Sequence, residues 1–152
     1  MAESHYIFIS ADIYDEERLI PAREIYETLA RRGVWLIWRA TPYQRDYRAG
    51  DRVLFYLARS GQCQFAGTAE LAGEPEPTTR GETDMADSLG LIGYDRKLIL
   101  RNAQRFREGI PIRPLIAELT FIKNKRWWGH SFRQSAIRIP KEDFDRILRG
   151  RL

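Results

Sequence analysis

The chain has 152 residues, of which 43% are hydrophobic and 30% are charged. This is the composition of one globular domain with an ordinary core, and it excludes a disordered chain. A single cysteine, Cys63, excludes an intrachain disulfide and a cysteine-based zinc site, and His5 and His130 are too few for metal catalysis. No secretory signal or run of membrane-spanning length is evident, so we expect a cytoplasmic protein with no membrane contact, metal or cofactor.

Charge is distributed unevenly along the chain, although the net charge is only +4. Residues 72–95 carry six acids and one base, whereas residues 96–133 carry ten bases and two acids. A long stretch of one sign is typical of a protein that binds a polyanion. The alternative is that these charges point in all directions once the chain folds.

The N-terminal part of the chain predicts a strand and a helix. Tyr6–Ile9 is a short apolar run bounded by polar residues, which predicts a buried strand. The apolar spacing of Ala22–Arg32 predicts a helix, with Pro21 in its first turn and Gly33 just past its end.

Two strands joined by a turn are predicted in the middle of the chain. Arg52–Ala58 is apolar on both faces, which favours a small closed barrel or a sheet covered by helices. Gln64–Leu71 predicts the return strand of a hairpin, and Gly67 within it predicts a bulge or a close approach of a ligand to the backbone. Thr41–Gly50 is predicted to be a loop. Gly73–Gly93 is polar and acidic, so we expect a surface loop that is mobile and tolerates shortening.

The C-terminal half adds two strands and two helices. Lys97–Arg101 and Ala136–Ile139 have the pattern of strands, Leu115–Leu119 predicts a short helix after two prolines, and Lys141–Leu148 predicts a final amphipathic helix. The chain is therefore of mixed α and β class, with about five or six short strands and three helices.

Aromatic and basic residues are interleaved between Phe121 and Phe132, where the sequence reads FIKNKRWWGHSF. Trp127 and Trp128 adjoin three cations, a combination that stacks a base and holds its phosphates. A second aromatic pair, Trp35 and Trp38, follows the first helix. The alternative for each tryptophan is a place in the core, because its area is costly to expose.

Catalytic motifs are not evident in the sequence. There is no glycine-rich phosphate loop, nucleophile elbow or metal-binding helix motif. His130 beside Ser131, and Cys63, have no base and orienting acid placed with them by the sequence, which favours structural roles. These observations predict a binding module and not an enzyme.

Four stretches together resemble the EVE domain family. The most specific is Ile116–Leu148, in which a Phe-Ile-Lys-Asn-Lys segment leads to a tryptophan and a terminal helix. The GVW of Gly33–Trp35, then AGDRVLFYLA and QFAGTAEL, are similar to the early tryptophan, strand entry and hairpin of that family. Trp35 and Trp128 match the family tryptophans, whereas Trp38 and Trp127 are additions in this chain.

The resemblance implies a PUA-like α+β fold, a small bent β-barrel flanked by helices and similar to the YTH, ASCH and SRA domains. Such domains hold one flipped, modified base in an aromatic pocket. The resemblance therefore implies a reader of 5-methylcytosine or a related base in DNA, used in modification-dependent restriction with a separate nuclease or NTPase subunit. Two alternatives remain: a PUA-like protein of RNA binding or RNA modification, and a sensor of a free nucleoside.

The implied site has two tryptophan walls and a basic surround. Trp35 and Trp128 are expected to stack on the base, and Trp127 is expected to point away because neighbours on an extended segment alternate. The further pocket residues expected are Tyr56, Phe132, Trp38, Ser10 and Gly67, the last two because small residues let the backbone reach the base edge. Phosphate contacts are expected from Arg45, Arg48, Lys123, Lys125, Arg126 and Arg133.

Overall fold

The computed structural model describes residues 2–150, in which nine strands and three α-helices are present. The strands are β1 (His5–Ser10), β2 (Ile13–Asp15), β3 (Arg18–Ile20), β4 (Val34–Ile37), β5 (Arg52–Leu57), β6 (Gln64–Leu71), β7 (Glu76–Pro77), β8 (Arg96–Pro111) and β9 (Ala136–Ile139). The helices are α1 (Ala22–Arg32), α2 (Arg80–Ser88) and α3 (Lys141–Arg149). Within residues 2–150 no helix combines the length and the apolar character needed to cross a membrane.

One mixed sheet forms the body of the fold, with the strand order β4-β8-β6-β5-β1-β9. β1 runs parallel to β5, and the other pairs in this order are antiparallel. The sheet curls into a half-barrel with β4 and β9 at its two edges, while β2 and β3 form a separate hairpin. The expected bent barrel of about six strands flanked by helices is confirmed.

The central strands β1 and β5 are buried on both faces, as the double-sided apolar pattern of Arg52–Ala58 predicts. Tyr6 and Phe8 of β1 pack in one core cluster with Phe55 of β5 and the apolar side of α1. Ile7 of β1 packs in a second cluster with Phe144 of α3. Successive side chains of β1 and β5 point to opposite faces of the sheet, so these strands contribute to two cores, one on each side.

Helix α1 begins and ends where the sequence predicts. Pro21 precedes its first residue, and Gly33 closes it with φ 76°, a left-handed conformation that glycine adopts without strain. The buried side of α1 presses Tyr26 against the sheet beside Gly67, where a side-chain Cβ would collide with the Tyr26 hydroxyl. The β6 strand also has the predicted irregularity there, because its register with β5 shifts by one residue between Gly67 and Phe65.

The prediction of a mobile loop over Gly73–Gly93 is wrong, because this segment contains β7 and α2. Thr79 caps α2 by accepting the Glu82 N–H, and the Glu82 carboxylate accepts the Thr79 N–H. Glu82 is itself buried and lies 2.8 Å from the Lys97 ammonium group of β8. The apolar residue Ala86 completes the packing of α2 against the core.

The helix predicted at Leu115–Leu119 is also absent: a 3₁₀ turn, Arg113–Leu115, is followed only by turns. Directly after this segment the Asp143 carboxylate accepts the N–H groups of both Thr120 and Phe121, at 3.1 and 2.9 Å, so these two groups are not available to extend the turns into a helix. The strand predicted at Lys97–Arg101 extends instead to Pro111 as β8. The predicted strand before α3 and α3 itself are confirmed.

Candidate functional site

A cleft of about 980 Å³ lies where the half-barrel is open. Ser10 and Asp12 reach it from the end of β1, and Arg59 reaches it from the end of the parallel strand β5. The two edge strands contribute Trp35 from β4 and Ala136 from β9. We call this space the aromatic cleft, because rings line much of it.

Trp35 forms one wall of the aromatic cleft and also belongs to the core. Its ring lies 5.8 Å from that of Phe8 with an interplanar angle of 20°, and 5.0 Å from that of Phe55. Only 7% of the residue is exposed. Trp35 is therefore fixed in position by its neighbours, and a small part of its surface faces the cleft.

A second group of rings lines the cleft from the other side of the sheet. Tyr56 and Phe132 stack with ring centroids 4.3 Å apart and an angle of 24°. Trp128 meets Phe132 edge-on at 6.1 Å, and the Arg113 guanidinium lies 5.5 Å from the Trp128 ring centre. Trp128 is half-buried, so it offers more ring surface to a ligand than Trp35 does.

Trp127 also lines the aromatic cleft, which corrects the expectation that it points away from Trp128. The expectation assumed an extended segment, but Trp128–Phe132 forms a 3₁₀ helix, so alternation does not apply. Trp127 is 56% exposed, and the Arg126 guanidinium lies 5.4 Å from its ring centre. A cation and an exposed ring thus stand together beside the cleft.

The polar groups of the cleft are mostly engaged within the protein. The Ser10 hydroxyl donates to the Ala22 carbonyl at 2.7 Å, and Asp12 accepts from the Ala22 N–H at 2.9 Å and from both the N–H and hydroxyl of Ser60. Burial raises the pKa of Asp12, but the hydrogen bonds from Ser60 and Ala22 outweigh it and hold the pKa below its ordinary value. Asp12 is therefore an ionised, rigidly placed acceptor.

Tyr56 offers a neutral hydroxyl near the Cys63 thiol. Burial and a hydrogen bond with Cys63 raise the pKa of Tyr56 well above its ordinary value, so this phenol keeps its proton. Among residues 2–150 no three His, Cys, Asp or Glu side chains come together as metal ligands.

The expected phosphate-binding cations fall into three groups. Arg126 and Arg133 line the aromatic cleft, with Arg133 3.4 Å from the His130 Nε2 atom. Lys123 is exposed and outside the cleft, and the Lys125 ammonium group donates to the Leu119 carbonyl. The third group, Arg45 and Arg48, lies in a separate hollow of about 640 Å³.

We call this hollow the basic notch. Its charged residues are Arg39, Arg45, Arg48 and Arg96 with Glu74 and Asp95. Trp38 and Gly67 are likewise outside the lining of the aromatic cleft. Trp38 is 37% exposed and lies 6.3 Å from Tyr94, whereas Gly67 is buried under α1.

Several residues of the site carry no local sequence signal. Asp12, Arg59 and Tyr94 line the cleft but stand in segments without a motif. The position of Asp12 and Arg59 follows from the parallel pairing of β1 with β5, which brings two strand ends to the same edge. That pairing is a feature of the tertiary structure, and the spacing of residues along the chain does not predict it.

The half-barrel with its aromatic cleft defines a PUA-like fold. It superposes on human THYN1 in complex with DNA containing 5-methylcytosine, with a TM-score of 0.63, 13% identity and 98% coverage of both chains. It also superposes on the YTH domain of Zygosaccharomyces rouxii MRB1 in complex with N6-methyladenosine RNA, with a TM-score of 0.59, 15% identity, and 97% and 86% coverage of this chain and that one. At such identities these likenesses establish the fold.

The family follows from the sequence match, because the EVE domain model matches residues 26–150. The chain belongs to the EVE domain family, whose members, like other PUA-like domains, are generally binding modules. A UPF0310 protein of Pyrococcus abyssi is 26% identical over 84% of this chain and 93% of its own. A UPF0310 protein of Bacillus licheniformis, encoded in the gntR 5′ region, is 47% identical over 40% of this chain, and the match spans only 38% of that relative.

Proposed function

We propose that this protein reads a modified base in DNA, 5-methylcytosine or a related base, by holding it flipped out of the strand in the aromatic cleft. The observation that carries the proposal is that Trp35 and Trp128, far apart in the chain, line one cleft together with Arg126 and Arg133. The complex of the structurally similar THYN1 with DNA containing 5-methylcytosine supports the choice of base.

In such a site the free energy gained by stacking and methyl burial is similar in size to the free energy needed to extrude the base. Base–aromatic stacking contributes roughly 1–3 kcal/mol per base, and a buried methyl group adds about 1 kcal/mol. Extruding a paired base costs a few kcal/mol, so interactions with the phosphates have to contribute as well. Arg126 and Arg133, which line the cleft, supply that contribution in this proposal.

Asp12 supplies the polar recognition in this proposal. A carboxylate has about four acceptor sites, and three donors from the protein already occupy Asp12. The remaining site accepts the exocyclic amino group of cytosine, which thymine does not have. Adenine and guanine carry an exocyclic amino group as well, so Asp12 favours these three bases over thymine and the shape of the cleft decides among them.

A second candidate function is the reading of N6-methyladenosine in RNA. The observation that favours it is the superposition, over 97% of this chain, on a YTH domain in complex with RNA that carries this base. Both candidates use the same cleft, the same stacking and the same acceptor. They differ in the strand and base that bind most tightly, which a direct binding comparison measures.

The wider role in this proposal is modification-dependent restriction in the cytoplasm. The protein recognises the modified base, and a separate nuclease or NTPase subunit cuts the DNA. Its support is the EVE family membership of the chain and the binding-module character of that family.

The experiment compares binding of matched DNA and RNA oligonucleotides with and without 5-methylcytosine and N6-methyladenine, followed by fluorescence anisotropy. We expect the wild-type protein to prefer the DNA with 5-methylcytosine. Trp128→Ala should remain folded, because Trp128 is only half-buried, and its preference for the modified base should fall roughly tenfold.

The matched control is Tyr14→Ala, because Tyr14 is an aromatic residue that is 71% exposed and outside the cleft. It should melt and bind like the wild type. A Trp128→Ala protein that folds and discriminates normally would rule out stacking on this ring. Equal binding of all oligonucleotides would rule out the reader function itself.

A further inference from the structure

Trp38 and Tyr94 connect the aromatic cleft to the basic notch. The backbone N–H of Trp38 donates to the hydroxyl of Thr41, which lines the cleft, and Tyr94 lines the cleft as well. On the other side, Arg39 follows Trp38 directly and Asp95 follows Tyr94 directly, and both line the notch. The exposed ring of Trp38, 6.3 Å from the Tyr94 ring, therefore lies beside the cleft, and the next residue of the chain lies in the notch.

The turn that presents Trp38 is held firmly. The Gln44 side-chain amide donates to the carbonyl groups of Trp38, Arg39 and Thr41 at 3.0, 2.8 and 2.9 Å. Because one side chain connects three carbonyls of the turn, the backbone that carries Trp38 and Arg39 is held in one conformation. Backbone that is already ordered loses little further conformational entropy when a ligand binds.

The basic notch has unused capacity for an anion. Arg48 donates to the Arg45 and Tyr47 carbonyls and lies 3.4 Å from the Glu74 carboxylate, so its guanidinium is partly engaged. Within residues 2–150 the guanidinium groups of Arg39 and Arg45 have no hydrogen-bond or ion-pair partner, and both residues are exposed. Four arginines against two carboxylates favour a phosphate over a cation.

We infer that this region is a second subsite, in which the base next to the modified one stacks on Trp38 and its phosphate is held in the basic notch. This inference rests on the proposed function and makes it more specific. The ligand is a nucleic-acid strand and not a free nucleoside, because a nucleoside has no phosphate for the arginines of the notch to hold. The strand passes from the cleft over Trp38 to Arg39 and Arg45.

The test measures binding of single-stranded hexanucleotides, unmodified and with one central 5-methylcytosine, by fluorescence anisotropy over a range of salt concentrations. Trp38→Ala should weaken binding of both oligonucleotides roughly tenfold, since one base no longer stacks. The double variant Arg39→Gln and Arg45→Gln should also weaken binding, and it should reduce the salt slope by about 0.7 for each phosphate that the protein no longer neutralises.

Two further variants make the test specific to the notch. Glu74→Gln removes a carboxylate that competes with phosphate for Arg48, so we expect it to tighten binding severalfold. Arg31→Gln removes one positive charge from an exposed position of α1 outside both surfaces and should leave binding and the salt slope unchanged.

The outcomes separate this inference from the proposed function. Weaker binding of both oligonucleotides to Trp38→Ala, with the ratio of their affinities preserved, supports the second subsite. If the wild type shows no preference for 5-methylcytosine but the notch variants still weaken binding, the proposed base is wrong and the subsite stands. If the notch variants bind like Arg31→Gln, or if the wild type binds no hexanucleotide at low salt, the subsite is ruled out.

Discussion

Trp35 contributes both to the lining of the cleft and to the packing of the core. As a cleft wall it faces the ligand, but with 7% exposure and two ring neighbours it is chiefly a core residue. We expect Trp35→Ala to lower the free energy of unfolding by about 3–5 kcal/mol, the usual cost of removing a buried tryptophan. Chemical denaturation followed by circular dichroism measures this decrease directly.

Trp35→Phe is the companion variant, because it keeps most of the packing against Phe8 and Phe55. It should recover a large part of the stability while still reducing the ring area that faces the cleft. Equal stability of Trp35→Ala and the wild type would show that the ring is not held between these neighbours.

Residue roles are foreseeable where a side chain has distinctive chemistry. Trp35 and Trp128 are identified from the family resemblance, and both line the cleft. Trp38 is expected in the same pocket, but it is exposed and outside the lining of the cleft, because the turn after β4 carries it past the cleft. Asp12 is not identified, since one acid after a strand is common and its partners come from α1 and from the end of β5.

Helix α2 owes its stability to interactions that a local pattern does not contain. Its Thr79-x-x-Glu82 capping box is visible in the sequence, but Gly81 and the neighbouring acids and prolines favour a loop. Glu82 is decisive, because it binds both Thr79 and Lys97, a residue on β8. In contrast, α1 and α3 are predicted correctly because each follows a proline and has a continuous apolar side.

We expect Glu82→Gln to destabilise the fold by roughly 3 kcal/mol at neutral pH, because Lys97 then remains largely buried without its partner. Burial raises the pKa of Glu82, but hydrogen bonds from Lys97 and Thr79 lower it by more, so the pKa lies below the ordinary 4.5. The stabilisation is therefore complete above about pH 4.5 and disappears as the pH falls through the folded-state pKa.

Urea denaturation at a series of pH values measures this dependence. The difference between the wild type and Glu82→Gln should be constant near neutral pH and should shrink in acid. Asp84→Asn is a suitable control, since it removes a carboxylate from an exposed residue of the same helix. A difference that persists unchanged into strong acid would mean that the Glu82 charge does not stabilise α2.

At the scale of the whole molecule, the basic stretch over residues 96–133 is divided between different surfaces. Arg96 lies in the basic notch, Arg126 and Arg133 line the aromatic cleft, and Lys97 is committed to Glu82. Others are spread along the exposed part of β8, where Arg105 pairs with Glu27 of α1. The basic stretch therefore does not form one continuous positive surface, and only part of it can bind one strand of nucleic acid.

This division predicts that the position of an arginine affects DNA binding more than the net charge of the protein does. The double variant Arg126→Gln and Arg133→Gln should weaken binding to duplex DNA and reduce the salt slope by about 0.9 for each phosphate that the protein no longer neutralises. The double variant Arg101→Gln and Arg107→Gln changes the net charge equally, but these exposed residues of β8 lie outside the cleft and the notch, so it should bind almost like the wild type.

Affinity measured at several salt concentrations, with thermal melts beside it, distinguishes a localised interface from a diffuse one. Screening largely removes the attraction of charges farther away than about 10 Å at 0.1 M salt, so at this salt concentration only the cleft variant should bind more weakly than the wild type. Its deficit should shrink as the salt concentration rises further, because its salt slope is smaller. If both double variants weaken binding equally at every salt concentration, the protein binds DNA through its overall positive field, and the cleft arginines have no special part in holding the strand.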